Sequence, residues 1–270
     1  MKKILVLIAI TTNLIIGNSQ NLVKIDKLDS LNNSIYSILS DYNLIMIGEM
    51  HGTNEPVEFL TKLAELFVNN GDIVQVGFEI PADLMQNYLQ NQTDSSIYNS
   101  EFFKINIFDG RASIAWANAI STLTKNPKIK LFFYDVDRSK ANIDSLMYIN
   151  IKNKLIENPN WRTITISGNV HNKKIPHKEQ YTTAYYLCND EKLNNYKICS
   201  LNHEFQKGTM LNYYENGLEL REVNYGKSPN APDYDNYLYL YPESFVYPWN
   251  GVFFTKIVTA SELVNKKTYE

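Results

Sequence analysis

Short apolar runs closed by glycine or an acidic residue alternate along this chain with stretches whose apolar positions recur every three to four residues. Asn43 to Ile47, Ile73 to Phe78, Ile129 to Tyr134, Arg162 to Ser167 and Tyr196 to Leu201 read as five strands, being short, continuously apolar and rich in β-branched and aromatic residues. Phe59, Leu63, Leu66 and Phe67 mark a helix that stops at Asn70-Gly71, and Ser113 to Leu123, Ile143 to Ile156 and Tyr181 to Leu187 mark three more. A lead-in helix through Leu28, Leu31, Ile35 and Leu39 precedes them, with Asp26 or Asp29 as its cap, and Pro81 suits the first position of a helix. This alternation specifies an α/β fold, a mostly parallel sheet with helices on both faces.

The pattern changes twice. Asn91 to Asp109 is rich in Asn, Ser and Thr and reads as an insertion or lid near 91–112. Beyond Gly208, Leu211 to Tyr214 and Leu218 to Leu220 flank an Asn216-Gly217 turn, which predicts a C-terminal β-hairpin, and Tyr237 to Tyr241 predicts a further strand.

At the start, Lys2 and Lys3 precede an apolar stretch from Ile4 to Ile16 and then small, polar residues, the layout of a signal peptide over residues 1–19. The stretch is short and broken by Thr11, Thr12 and Asn13, which argues against a permanent membrane span. We therefore expect an exported protein, periplasmic or extracellular, with one α/β domain over residues 20–270. Its 44% hydrophobic content and net charge of −3 suit a globular core and offer nothing to nucleic acid. Cys188 and Cys199, the only thiols, are permitted to pair after export but read better as small buried side chains, neither of them catalytic.

Two of the four histidines stand in the same pattern behind a strand, Gly48-Glu49-Met50-His51 and Gly168-Asn169-Val170-His171. In an open α/β sheet the ligand site lies beyond the carboxyl ends of the strands, so both imidazoles are expected on one rim. Glu79 ends another strand there, and a carboxylate after an apolar run needs a partner. His51, His171 and Glu79 are thus the candidate catalytic residues. Glu49 is either a fourth or an acceptor for backbone amides in its turn. Arg111 opens a helix, where a cation is unfavourable unless an anion faces it, and is a candidate substrate contact. Asp135 and Asp137 are equally suited to surface caps, Glu55 to a helix start, and His177 and His203 to hydrogen-bonded positions without chemistry. No nucleophile elbow, His-Glu-x-x-His or phosphate loop is present.

Ile47 to Glu55, Phe78-Glu79, Asp144 to Met147 and Gly168 to His171 resemble the superfamily that joins erythromycin esterases, ChaN-type haem-binding proteins and Tiki-type proteases. The resemblance implies an α/β fold with its site at the strand ends. From the esterases it implies a hydrolase in which His51, Glu79 and His171 activate water; from the Tiki group, a divalent ion on those three residues; from ChaN, a haem-binding protein. The expected substrate is a small molecule or a cell-envelope component.

Overall fold

The computed structural model describes residues 21–104, 109–137, 139–214, 217–226, 232–243 and 246–265. The proposed signal peptide lies outside them. In chain order the elements are β1 (Leu22–Lys24), α1 (Asn33–Leu39), β2 (Leu44–Glu49), α2 (Glu55–Asn69) and β3 (Val74–Pro81), then the short helices α3 (Gln86–Asn91), α4 (Asp94–Tyr98) and α5 (Glu101–Lys104). They continue with α6 (Ile114–Thr124), β4 (Ile129–Asp135), α7 (Ile143–Glu157), β5 (Arg162–Gly168), α8 (Thr183–Cys188), β6 (Ile198–Tyr214), β7 (Gly217–Asn224), β8 (Asn236–Leu240) and β9 (Gly251–Val258).

The strands form one sheet in the order β1-β8-β9-β6-β2-β5-β3-β4, with β7 paired to β6. From β9 to β4 every neighbouring pair is parallel, while β1, β7 and β8 run antiparallel to their partners. Successive side chains of β2 explain why its sequence is apolar without interruption. Ile45 and Ile47 join a core made with Phe59, Leu63 and Phe67 of α2 and Trp116 and Ile120 of α6. Leu44 and Met46 face the other way, against Met147, Ile151 and Leu155 of α7 and Leu187 of α8. Both faces are covered, as a parallel sheet requires.

Several expectations change. The lead-in helix begins only at Asn33, because Asn32 supplies the cap, its Oδ1 accepting from the Ser34 amide at 3.0 Å. Pro81 ends β3 in an extended conformation instead of starting a helix. Within 91–104, α4 and α5 bury Ile97, Phe102 and Phe103 in the main core, so this stretch is packed structure. The strand expected at Tyr196 to Leu201 and the first hairpin strand are one strand, β6, with Gly208 inside it. β9, which the sequence reading leaves unassigned, fills the place between β6 and β8. Cys188 is exposed and Cys199 buried, and both are free thiols.

Candidate active site

The strand order brings the motifs together. β5 lies between β2 and β3, with Glu49 opposite Gly168 and Phe78 opposite Ile166. The two Gly-x-x-His turns therefore leave adjacent strands side by side, and Glu79 arrives from the third. Gly168 sits where the imidazoles pass: a Cβ there would stand 3.0 Å from His51 Nε2 and 3.6 Å from His171 Cδ2. Gly52, directly after the first motif, has φ +86°, and a Cβ there would lie 1.7 Å from the Leu211 carbonyl oxygen. Only glycine admits that conformation and that contact. The long β6 thereby closes over the first turn, and Asn212 donates to the His51 carbonyl at 3.0 Å.

Each imidazole is oriented by its own carboxylate. His51 Nδ1 lies 2.7 Å from Glu49 Oε1, and His171 Nδ1 lies 2.8 Å from Asp144 Oδ1. A carboxylate only accepts, so Nδ1 carries a proton in each ring and Nε2 is the nitrogen left to take up or release one. Both Nε2 atoms face Glu79, at 3.8 Å from Oε2 for His51 and 3.7 Å from Oε1 for His171. The imidazoles are partly exposed, whereas Glu49 and Glu79 are fully buried.

Burial favours the neutral form of His51, but the hydrogen bond and charge of Glu49, with Asp109 and Glu79 adding to them, outweigh it and hold the pKa above the ordinary 6.5. Burial also raises Glu49, against the pull of His51. The pair therefore binds its shared proton tightly.

Arg111 is placed beneath this centre, not at its mouth. Its side chain is 5% exposed, and NH1 lies 3.0 Å from Glu79 Oε1 and 2.9 Å from Asp135 Oδ2. NH1 also donates to the Glu79 carbonyl at 2.7 Å, while Nε and NH2 reach Asp109 Oδ2 at 2.9 and 2.8 Å. Burial disfavours this charge, yet the three carboxylates raise the guanidinium pKa above its ordinary value. Burial works against ionised Asp109 too, and His51 and Arg111 overcome it, holding its pKa below the usual carboxylate value. The expected substrate contact is thus a clamp that holds Glu79 in place. The Gly168 amide completes the clamp, donating to Glu79 Oε2 at 2.7 Å.

Asp109, to which the sequence reading gave no role, Asp144, which entered only through the family resemblance, and Asp135, read equally as a surface cap, all lie at the candidate site. Asp144 lies in the first turn of α7 and looks like a helix cap. In the structure its Oδ1 also accepts from the Thr183 amide at 2.7 Å and the Thr183 hydroxyl at 2.8 Å. Asp137 does cap a surface turn, accepting from Ser139. Glu55 accepts from the Thr259 amide and hydroxyl. His177 meets Lys173 at 2.9 Å, and His203 is buried against Thr255.

A divalent ion on His51, Glu79 and His171 needs three donors around a common point. Among the described residues no group of three His, Cys, Asp or Glu side chains has that arrangement. Glu79 already commits one oxygen to Arg111 and the other to the Gly168 amide. The residues do not fit the ion, and no step of the reaction is assigned to one.

No family model and no curated protein sequence matches the chain. Solved structures do. A mutant of the erythromycin esterase EreC in its open conformation has a TM-score of 0.66 at 10% identity, with 90% of this chain and 99% of that chain covered. The fold is the one the resemblance implies. A succinoglycan biosynthesis protein has a TM-score of 0.63 at 11% identity, covering 94% of this chain and 99% of that one. A Bacillus cereus protein has 0.59 at 8%, covering 90% and 96%. At such identities the likeness to EreC establishes shared architecture, and the chemistry rests on the geometry of the site. No described helix is long and apolar enough to cross a membrane.

Proposed function

We propose that this chain is an exported hydrolase that cleaves an ester or amide bond with water activated at the His51–Glu79–His171 centre. The observation that carries the reading is the convergence of two carboxylate-oriented imidazoles, Nε2 first, on one buried carboxylate. His51 Nε2 takes a proton from water as the water oxygen bonds to the carbonyl carbon. His171, protonated at Nε2, gives its proton to the leaving oxygen or nitrogen as the old bond breaks. Glu79 lies beside both and stabilises whichever imidazolium forms, as Glu49 and Asp144 do from the Nδ1 side. Arg111 acts through Glu79 as a positioning residue.

The test is a panel of p-nitrophenyl esters and anilides with the mature protein and a Glu79→Gln variant matched in circular dichroism. Wild type should turn over at least one compound, and the variant should be slower by about 100-fold or more, the scale of acid–base catalysis. A wild type inert on the whole panel, or a variant that equals it, contradicts the proposal. A Soret band on adding haemin to that inert protein favours the haem-binding alternative.

A further inference from the structure

A cavity of about 470 Å³ opens beside His171, walled by Lys140, Asn142, Asp144, Glu179 and Tyr181. It is within the size range of small-molecule sites. Asp144 is the residue that orients His171, so the cavity adjoins the reacting centre. Tyr181 is 51% exposed. Its ring is nonetheless fixed, stacked on Tyr185 at 4.5 Å and 5° and met edge-on by Tyr186 at 5.8 Å and 78°. A rigid aromatic surface left half in solvent costs little entropy to use in binding. The wall also holds two non-glycine residues in the left-handed region, Asn142 at φ 57° and Glu179 at 66°, a conformation such residues seldom adopt.

We propose that this cavity is the subsite for one side of the scissile bond and that it takes a hydroxylated ring of the sugar type, stacked on Tyr181. The inference rests on the hydrolase reading for the bond cleaved and on the cavity alone for the ring. Lys140 supplies a cation, Glu179 an anion and Asn142 an amide, while the wall's second carboxylate, Asp144, is engaged by His171, so both donors and acceptors are present. Ring hydroxyls donate and accept, and match such a wall. A plain acyl chain or a benzene ring would offer those exposed groups no hydrogen bond. A strongly charged ligand would meet one wall group of its own sign. The C–H face of a sugar ring is the apolar surface that an aromatic side chain needs.

The experiment combines binding with turnover. Methyl glucoside is titrated into wild type, Tyr181→Ala and Tyr181→Phe by calorimetry and saturation-transfer NMR. Hydrolysis of methyl 6-O-acetylglucoside is then compared with that of ethyl acetate. Wild type should bind the glucoside, Tyr181→Ala about tenfold more weakly, and Tyr181→Phe nearly as wild type, because the ring face carries the contact. The ratio of kcat/KM for the acetylglucoside to that for ethyl acetate should fall about tenfold in Tyr181→Ala. Absence of glucoside binding by wild type, or undiminished binding by a folded Tyr181→Ala, overturns the subsite even if ethyl acetate is cleaved. Glucoside binding that Tyr181→Ala weakens, without cleavage of either ester, upholds the ring site and overturns its place beside the scissile bond, while the hydrolase reading stands or falls on the ester and anilide panel.

Discussion

Replacing Arg111 with alanine removes the cation that Glu79, Asp109 and Asp135 share. The Asp109 side chain is 29% exposed and recovers hydration, but those of Glu79 and Asp135 are 0% and 1% exposed and have no such recourse. Truncating one member of a buried, hydrogen-bonded ion cluster typically costs about 3–5 kcal/mol, because the remaining charges stay desolvated. With a urea slope of roughly 2–3 kcal/mol per molar, the unfolding midpoint should fall by about 1–2 M, read by circular dichroism. Against a total stability of about 5–15 kcal/mol this is a large loss that still leaves a measurable folded population. In a double-mutant cycle, adding Glu79→Gln to Arg111→Ala should cost less than Glu79→Gln does alone, since one of the stranded charges is then gone. A loss under about 1 kcal/mol, the range of an exposed pair, or strictly additive effects would refute the clamp.

Three further outcomes follow from the site and the core. Base catalysis needs neutral His51, whose pKa is raised chiefly against burial by Glu49. The rate should therefore rise with pH through a limb above 6.5, and Glu49→Gln should move that limb to lower pH in a pH–rate profile. Gly168→Ala places a methyl group 3.0 Å from His51 Nε2 and should slow hydrolysis by at least about tenfold through misplaced imidazoles, with a thermal midpoint close to wild type. His203 is buried, and its pKa is depressed to about 3. The unfolded chain then binds the extra proton from its ordinary 6.5 downward, so stability falls as pH falls from about 6.5 towards 3, by at most about 1.4 kcal/mol per pH unit. His203→Phe should flatten that slope in urea titrations at a series of pH values.

The sheet interior was legible because burial on both faces leaves a mark in the sequence. Ile45 and Ile47 serve one layer while Leu44 and Met46 serve the other, and no polar break interrupts them. The site was legible where a residue's type conflicts with its neighbours: Glu79 at the end of an apolar strand, and a histidine repeated behind two glycines. Asp144 was not, because a carboxylate in the first turn of a helix satisfies local rules, and only tertiary structure brings it to His171. Arg111 was noticed for its unfavourable position at a helix start, and the anions that compensate it proved to be protein carboxylates. β9 and the full length of β6 depend on pairing between distant segments, Leu201 with Gly251 through Gly208 with Val258. Local periodicity holds no record of such a pairing.

The central claim is that His51 and His171 act as one unit over Glu79. Hydrolysis rates of His51→Ala, His171→Ala and the double variant test it most directly, on whichever substrate wild type turns over best. Groups that share one transition state lose their effect together, so each single variant should fall by about 100-fold or more and the double variant little further. A folded single variant that keeps the wild-type rate, or a double variant whose loss is the product of the two single losses, would contradict the account.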